Sequence, residues 1–511
     1  MSDIRFGYFS AENVKNDNRA LLLIGRKENL ISSLSFLVGE DIGLQAVLRS
    51  ATGGDEGATA RGLITAGTKL RTVAMGVLPE ACSRHASPAR NYAVSKIVSE
   101  VVNGPLPVED TSEWLVVILL EDVAYIGACV CALSRALPVF SAKSRNVGNK
   151  KQVTACFFTS PQLVALEAST SCAVLCRAVR ECARIVDTPP EFMNCDDICA
   201  LAVAVAERVK GCQISVTRGE QLRDRGYGCI YGVGKAAIQE PALVVLSHYR
   251  DGPSTGAVCL CGKGVVYDSG GLALKSKEGM CGMKMDLGGC ACVLNAFEAA
   301  ATLGDYTYSS LHCILAVAEN AIGPNSFRND DILTSFSSKT IEINNTDAEG
   351  RLLLADAVAH ATLPDVFNRD DNSIEEVKLI IDVATLTGAQ MVSTGKRVGA
   401  IVCNDERIES KASRAGIASG DLVFPLLFIP EWHQSEFKSQ VADMKNSVKD
   451  RANAQCSCAA TFIYQHINPS YRGSWLHIDI AGPAFVGERA TGFGTGLLLA
   501  LLGCSPFTST S

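Results

Sequence analysis

At 511 residues the chain is too long for one ordinary hydrophobic core and predicts at least two domains. Its 47% hydrophobic and 20% charged residues suit a soluble globular protein, and a net charge of -7 argues against a nucleic-acid partner, whose phosphates favour a basic surface. Met1 to Tyr8 lacks the basic start and apolar core of a secretory signal, and the late apolar run Leu497 to Leu502 is far short of the ~20 residues of a membrane helix, so a cytoplasmic protein with no membrane partner is expected.

From Ala20 to about Ser160, short apolar runs alternate with helical patterns. Strands are predicted at Ala20 to Ile24, Thr72 to Val77 and Trp114 to Leu120, and helices at Ala89 to Val102 and Val123 to Leu137. This alternation predicts a smaller N-terminal α/β domain, residues 1-160, that carries no acid/base or metal constellation. Pro161 opens a helical pattern, Gln162 to Val186, which Pro189 and Pro190 close; residues 161-190 are read as a linking helix and Pro-rich boundary before a larger domain, 191-511.

Past the boundary, a helix is predicted from Cys195 to Val209 and strands at Gln213 to Val216, Ala242 to Leu246 and Ala257 to Cys261. Their nearly unbroken apolar character fits a central sheet covered on both faces. Gly232 to Ala237 fits G-x-G-x-x-A, but it opens no clear helix and lacks an acidic partner, so an ordinary turn is the preferred reading.

Two glycine-rich stretches follow, Gly262 to Lys275 and Met283 to Gly289, and they set Lys263, Asp268, Lys275 and Asp286 among small apolar residues. Lys339 to Asn344 alternates like a strand, and Leu352 to Ala361 reads as a buried helix. If the intervening Asn345 to Leu352 is extended, its period of two sends Asp347, Glu349 and Arg351 to one face. Phe367 to Glu376 looks like a polar surface insertion.

Each charge alone is more often a solvated loop residue or a helix cap. Together the carboxylates would repel one another unless cations offset them, and a pair of divalent metals would do so. The seven histidines include no H-E-x-x-H pair, so oxygen atoms are expected to supply most ligands. Nor do the 21 cysteines form any C-x-x-C pair; most sit among Ala, Val and Leu, where a thiol behaves as a small apolar group.

On these residues the chain resembles the leucyl aminopeptidase family of cytosolic di-metal exopeptidases. The matching motifs are Gly262 to Gly264 with Asp268 to Gly271 and Lys275, Met283 to Asp286, Glu319-Asn320 with Gly323 to Asn325, Asn345 to Arg351, Asp382 to Gly388, Val441 to Asn446 and His477 to Gly482. The resemblance implies an α/β fold of two domains, the smaller N-terminal one serving assembly and the larger being catalytic, with a central mixed sheet flanked by helices. It also implies that Lys263, Asp268, Asp286 and Glu349 hold the tighter metal and Asp268, Asp347 and Glu349 the exchangeable one. Zn2+ is expected, with Mn2+, Mg2+ or Co2+ as alternatives at the exchangeable site. Lys275 and Arg351 match the catalytic pair, Arg351 holding a bicarbonate ion.

Met283, Asn345, Thr385, Leu386, Gly388 and Ala481, with Ala484 beside them, match the substrate-binding positions. The implied activity is removal of an N-terminal Leu or other hydrophobic residue from peptides with a free N-terminus, by a homohexamer. The rival reading is an idle binding or scaffold protein, or a DNA-binding one, on the same fold.

Overall fold

In the computed structural model, residues 3–66, 69–104, 112–144, 151–252, 255–363, 367 and 375–507 are described. The chain divides into two compact units, one made of Met1–Arg180, Ala415–Leu422 and Gly503–Ser511, the other of Glu181–Arg414 and Val423–Leu502.

In the first unit, a seven-stranded sheet runs in the order Asp3–Phe6, Gln152–Thr159, Glu113–Leu120, Ala20–Gly25, Lys69–Val77, Ala58–Ala66, with Ala165–Leu166 pairing beside Gln152–Thr159. The three predicted strands are present, slightly longer than their apolar runs. Ala58–Ala66 and Asp3–Phe6 escaped notice because polar and small residues interrupt them. The returning segment Ala415–Leu422 is held here by polar contacts: Asn91 donates to the Gly420 carbonyl, and Arg135 pairs with the fully buried Asp421. The expected helix from Gln162 begins later, at Thr170–Asp187, because the chain first forms Ala165–Leu166.

The second unit is built on an eight-stranded mixed sheet in the order Val423–Pro425, Gly399–Cys403, Ser474–Asp479, Val377–Ala384, Ala257–Asp268, Ser310–Asn320, Ala242–Tyr249, Gln213–Arg218. The four middle strands are parallel, and antiparallel neighbours flank them. Alternate residues of Ala257–Asp268 face opposite helices. Cys259, Cys261 and Val265 share an apolar core with Leu352, Leu353 and Val358 of helix Gly350–Ala361, while Gly262 lies against Cys290 and Val293 of helix Gly288–Leu303. Both faces of the parallel strands are therefore covered, which accounts for their continuous apolar sequence.

Some expectations are corrected. Gly232 and Gly234 lie in the helix Gly228–Gly234 rather than in a turn. Its neighbour Asp356, buried in helix Gly350–Ala361, accepts the backbone N–H groups of Cys229, Ile230 and Phe336. The strand predicted at Lys339 to Asn344 is only Thr340–Glu342, in a separate three-stranded sheet with Ile332–Thr334 and Met444–Lys445. Most of the insertion Phe367 to Glu376 lies outside the described residues; Phe367 and Glu375, at its ends, are buried. Most of the 21 cysteines are buried, with Cys82 and Cys281 exposed. No helix among the described residues is long and apolar enough to cross a membrane.

Candidate metal centre

The candidate residues gather where the middle strands end, the edge at which parallel sheets present ligands. Ala257–Asp268 supplies Lys263 and Asp268, five positions apart, which a regular strand would send to opposite faces. Its register against Ser310–Asn320 shifts between Val265 and Asp268, and that bulge restores both side chains to one locus. Asp286 comes from the 3-10 helix Met283–Leu287, which Met283 opens.

Asp347 and Glu349 arrive by a route the sequence misrepresents. Residues 345–349 are not extended: they form a turn, and Glu349 already has helical backbone angles (φ -79, ψ -36) as the residue before helix Gly350–Ala361. The alternation of Asp347, Glu349 and Arg351 is therefore not strand periodicity.

Carboxylate oxygens of Asp268, Asp286 and Glu349, all buried, lie within 4.8 Å of one another. The Lys263 Nζ stands 2.6 Å from Asp286 Oδ1 and 3.1 Å from Glu349 Oε1, and donates to the Thr385 carbonyl at 2.9 Å. Lys275 Nζ lies 2.7 Å from Asp268 Oδ2 and also donates to Asp347 Oδ1. Four carboxyl groups thus face two lysines.

Burial, then the charge of Asp268, pushes the Glu349 carboxyl up to about 8. Burial also raises Asp286 and Asp347. For Lys263, burial disfavours the charged form, but Asp286, Glu349 and Asp268 outweigh it and hold the ammonium above its ordinary value. Asp286 Oδ2 and Glu349 Oε2 are buried with no hydrogen-bond partner. Orphaned oxygens beside an excess of acid fit a cationic ligand, and an all-oxygen set plus one amine suits a hard or borderline divalent ion.

Arg351 makes no hydrogen bond to these carboxylates, although the charge of Glu349 acts on it. Its Nη1 donates to the Asn446 carbonyl at 3.1 Å, its Nε has no partner, and burial lowers its guanidinium to about 10. Unpaired donors on a buried guanidinium fit an oxyanion such as bicarbonate.

Of the positions matched to substrate binding, Thr385 bonds Asp286 Oδ1 through its hydroxyl at 2.8 Å, and Asn345 Oδ1 accepts the Asp347 N–H at 3.0 Å. Leu386 and Ala481 meet at Asp479, whose Oδ1 accepts both backbone N–H groups at 3.1 Å. Gly388 opens the helix Gly388–Ser393, and a Cβ there would meet open space. Ala484 lies near Gly288, where an added Cβ would stand 3.7 Å from the alanine methyl.

The sequence reading assigned no role to three residues that hold these groups in place. Asn320 donates to Asp268 Oδ1 at 2.9 Å and to the Thr346 carbonyl at 3.1 Å. Thr346 Oγ1 donates to the Gly270 carbonyl and accepts from Ala273, tying the glycine loop to the turn. Asn446 accepts from the N–H groups of Asn344 and Asn345 and donates to the carbonyls of Asn345 and Ala348.

Gly350 shows how close the packing is: a Cβ there would lie 2.4 Å from Lys263 Cε and 2.6 Å from its Nζ. Lys263 is pinned by three acceptors and has little room to yield. Gly350→Ala is expected to weaken metal binding by about 10- to 100-fold, as displaced supporting groups do, and to lower stability by about 1–3 kcal/mol through overpacking. Competition titration against a chromogenic chelator, beside a thermal melt, checks this.

Comparison with known proteins identifies the family. A family model described as the cytosol aminopeptidase family, catalytic domain, matches residues 180–500, and one described as M17 aminopeptidase N-terminal domain 2 matches residues 20–146. The chain is 44% identical over 439 residues to the probable aminopeptidase NPEPL1 of Mus musculus, covering 85% of this chain and 80% of that one. Leucine aminopeptidase 1 of Caenorhabditis elegans is 40% identical over 430 residues, 83% of this chain and 82% of that one. Among solved structures, leucyl aminopeptidase from Trypanosoma brucei in complex with bestatin superposes with a TM-score of 0.87 at 35% identity, covering 98% of this chain and 95% of that one.

Proposed function

Since the chain belongs to the cytosol aminopeptidase family, we propose that it is a metal-dependent aminopeptidase that removes N-terminal Leu, or another hydrophobic residue, from peptides with a free N-terminus. The observation that carries this reading is the buried meeting of Asp268, Asp286 and Glu349 around Lys263, with carboxylate oxygens left unpaired.

Lys263, Asp268, Asp286 and Glu349 would hold one divalent ion, and Asp268, Asp347 and Glu349 a second, as Zn2+ or, at the second site, Mn2+, Mg2+ or Co2+. Such a pair supplies an acidified water and a polarised carbonyl. Lys275, a part-buried ammonium 2.7 Å from Asp268 Oδ2, would stabilise the oxyanion that develops on the scissile carbonyl. Arg351 would hold bicarbonate, whose chemistry is that of a general base.

Thr385, Leu386, Gly388, Ala481 and Met283 form the proposed wall around the first side chain. Small and apolar groups dominate that wall, so a charged side chain would be buried there without a partner and disfavoured. Residues 1-160 are proposed to serve assembly of a cytoplasmic homohexamer.

The test is hydrolysis of a fluorogenic leucine amide by the purified chain with added Mn2+ or Zn2+. Expected is turnover that a chelator abolishes and metal restores, with arginine and aspartate amides cleaved at least about tenfold more slowly. Absence of turnover with either metal or with Co2+ would leave the idle binding protein as the better reading.

A further inference from the structure

Asp479 ends the strand Ser474–Asp479 and is 1% exposed. Four donors converge on its carboxylate: Oδ1 accepts Leu386 N–H and Ala481 N–H at 3.1 Å each, and Oδ2 accepts Thr387 N–H at 3.1 Å and Thr387 Oγ1–H at 2.7 Å. A carboxylate offers about four acceptor positions, so this one is saturated.

The donors come from two separate turns. Thr385 to Gly388 follows the strand Val377–Ala384, and Ile480 to Gly482 follows Asp479 itself; the first bridge between them is the Ile480 N–H to Ala384 carbonyl bond, 2.8 Å. The far side of the 385 turn is fixed to the metal-ligand candidates, through the Thr385 carbonyl on Lys263 and the Thr385 hydroxyl on Asp286. Asp479 is thus the second anchor of a turn whose first anchor is the metal centre. It has charged support beneath: His477, on the same strand, is paired with the buried Asp382, which also accepts Trp475 Nε1–H at 2.7 Å.

We propose that Asp479 is a positioning residue for substrate selection: by fixing the Leu386 and Ala481 main chains to one oxygen, it sets the width of the pocket for the first side chain. The proposal rests on the aminopeptidase reading given above. Asp479 touches none of the reacting atoms and acts through the two turns. Neither single turn could hold that spacing alone, because each contributes only part of the wall.

Asp479→Asn keeps the shape but leaves one accepting oxygen, so two of the four donors lose their partner. With leucine and alanine fluorogenic amides, KM for the leucine substrate is expected to rise about tenfold and the leucine-over-alanine ratio of kcat/KM to fall about tenfold, with kcat changed less than about threefold. Metal content by competition titration should equal that of wild type.

KM and selectivity within twofold of wild type overturn the proposal, as does a fall in metal content and kcat with KM unchanged, which marks a merely structural role. Should Asp479→Asn lose its melting transition, Thr387→Ala removes the 2.7 Å bond together with the hydroxyl's cap on the Gln390 N–H and its contact with Cys456 Sγ; about a threefold shift in the same two quantities is then expected, and no shift overturns the idea. A wild type inactive on every amide would remove the aminopeptidase reading and the proposal with it, whereas an active wild type with an unaltered variant removes the proposal alone.

Discussion

Lys275→Ala is expected to lower kcat on leucine amide by about 10²- to 10³-fold, the cost of losing one positioned oxyanion donor, while metal affinity stays equal or improves. The second half follows from the geometry. The Lys275 ammonium lies 2.7 Å from Asp268 Oδ2 and bonds Asp347 Oδ1, so it competes with a bound cation for the same oxygens. Removing it leaves those carboxylates more strongly repelled from Glu349 and readier to accept a divalent ion. Stopped assays with saturating Mn2+ give kcat, and chelator competition gives affinity. An unchanged kcat would remove the oxyanion role, and a variant that loses metal would make Lys275 a structural support.

Metal affinity should fall steeply as pH drops from 8 to 6. Two protons stand in the way of binding: one on Glu349, whose carboxyl is pushed up to about 8, and one on Lys263, whose ammonium is held above its ordinary value. A ligand must be deprotonated. Below pH 8 each released proton costs about tenfold in affinity per pH unit, so a drop of about 10² is expected if only Glu349 counts and about 10⁴ if Lys263 also yields its proton. Calorimetry in buffers of different ionisation enthalpy counts the protons directly. Affinity independent of pH across this window would mean that Glu349 is already ionised and Lys263 is no ligand.

Linkage gives the opposite trend for chelator-treated protein. Glu349 binds its proton more tightly folded than unfolded, so between its ordinary value of 4.5 and about 8 the folded state holds more protons and stability falls as pH rises. Loaded protein should therefore gain melting temperature with pH across a range where stripped protein loses it.

The acidic centre was legible because its residues are chemically conspicuous: Lys263, Asp268 and Asp286 sit in glycine-rich apolar surroundings, and Asp347 and Glu349 lie in one short motif. How they converge was not. Period-two reasoning placed Asp347, Glu349 and Arg351 on one strand face, whereas a turn and a helix start carry Asp347 to Lys275 and Glu349 to Lys263, and Arg351 bonds Asn446. Conversely, Lys263 and Asp268 have the wrong parity for a shared face, and only the bulge after Val265 reconciles them. Asn320, Asn446 and Asp479 lie in the matching motifs, but their roles stayed unread because their hydrogen bonds span tens of residues, and no local pattern encodes such partners. Likewise, nothing in the composition of Ala415–Leu422 tells that it returns to the first unit.

Lys263 and the Thr385 carbonyl, joined in the finished centre, are 122 positions apart along the chain. A pocket assembled from such distant donors cannot exist in a nascent or partly unstitched polypeptide, because contacts of that span close last. On the metal-dependent reading proposed above, ions could be held only after the strands Ala257–Asp268 and Val377–Ala384 have paired, so uptake of an ion would report completed folding of this sheet.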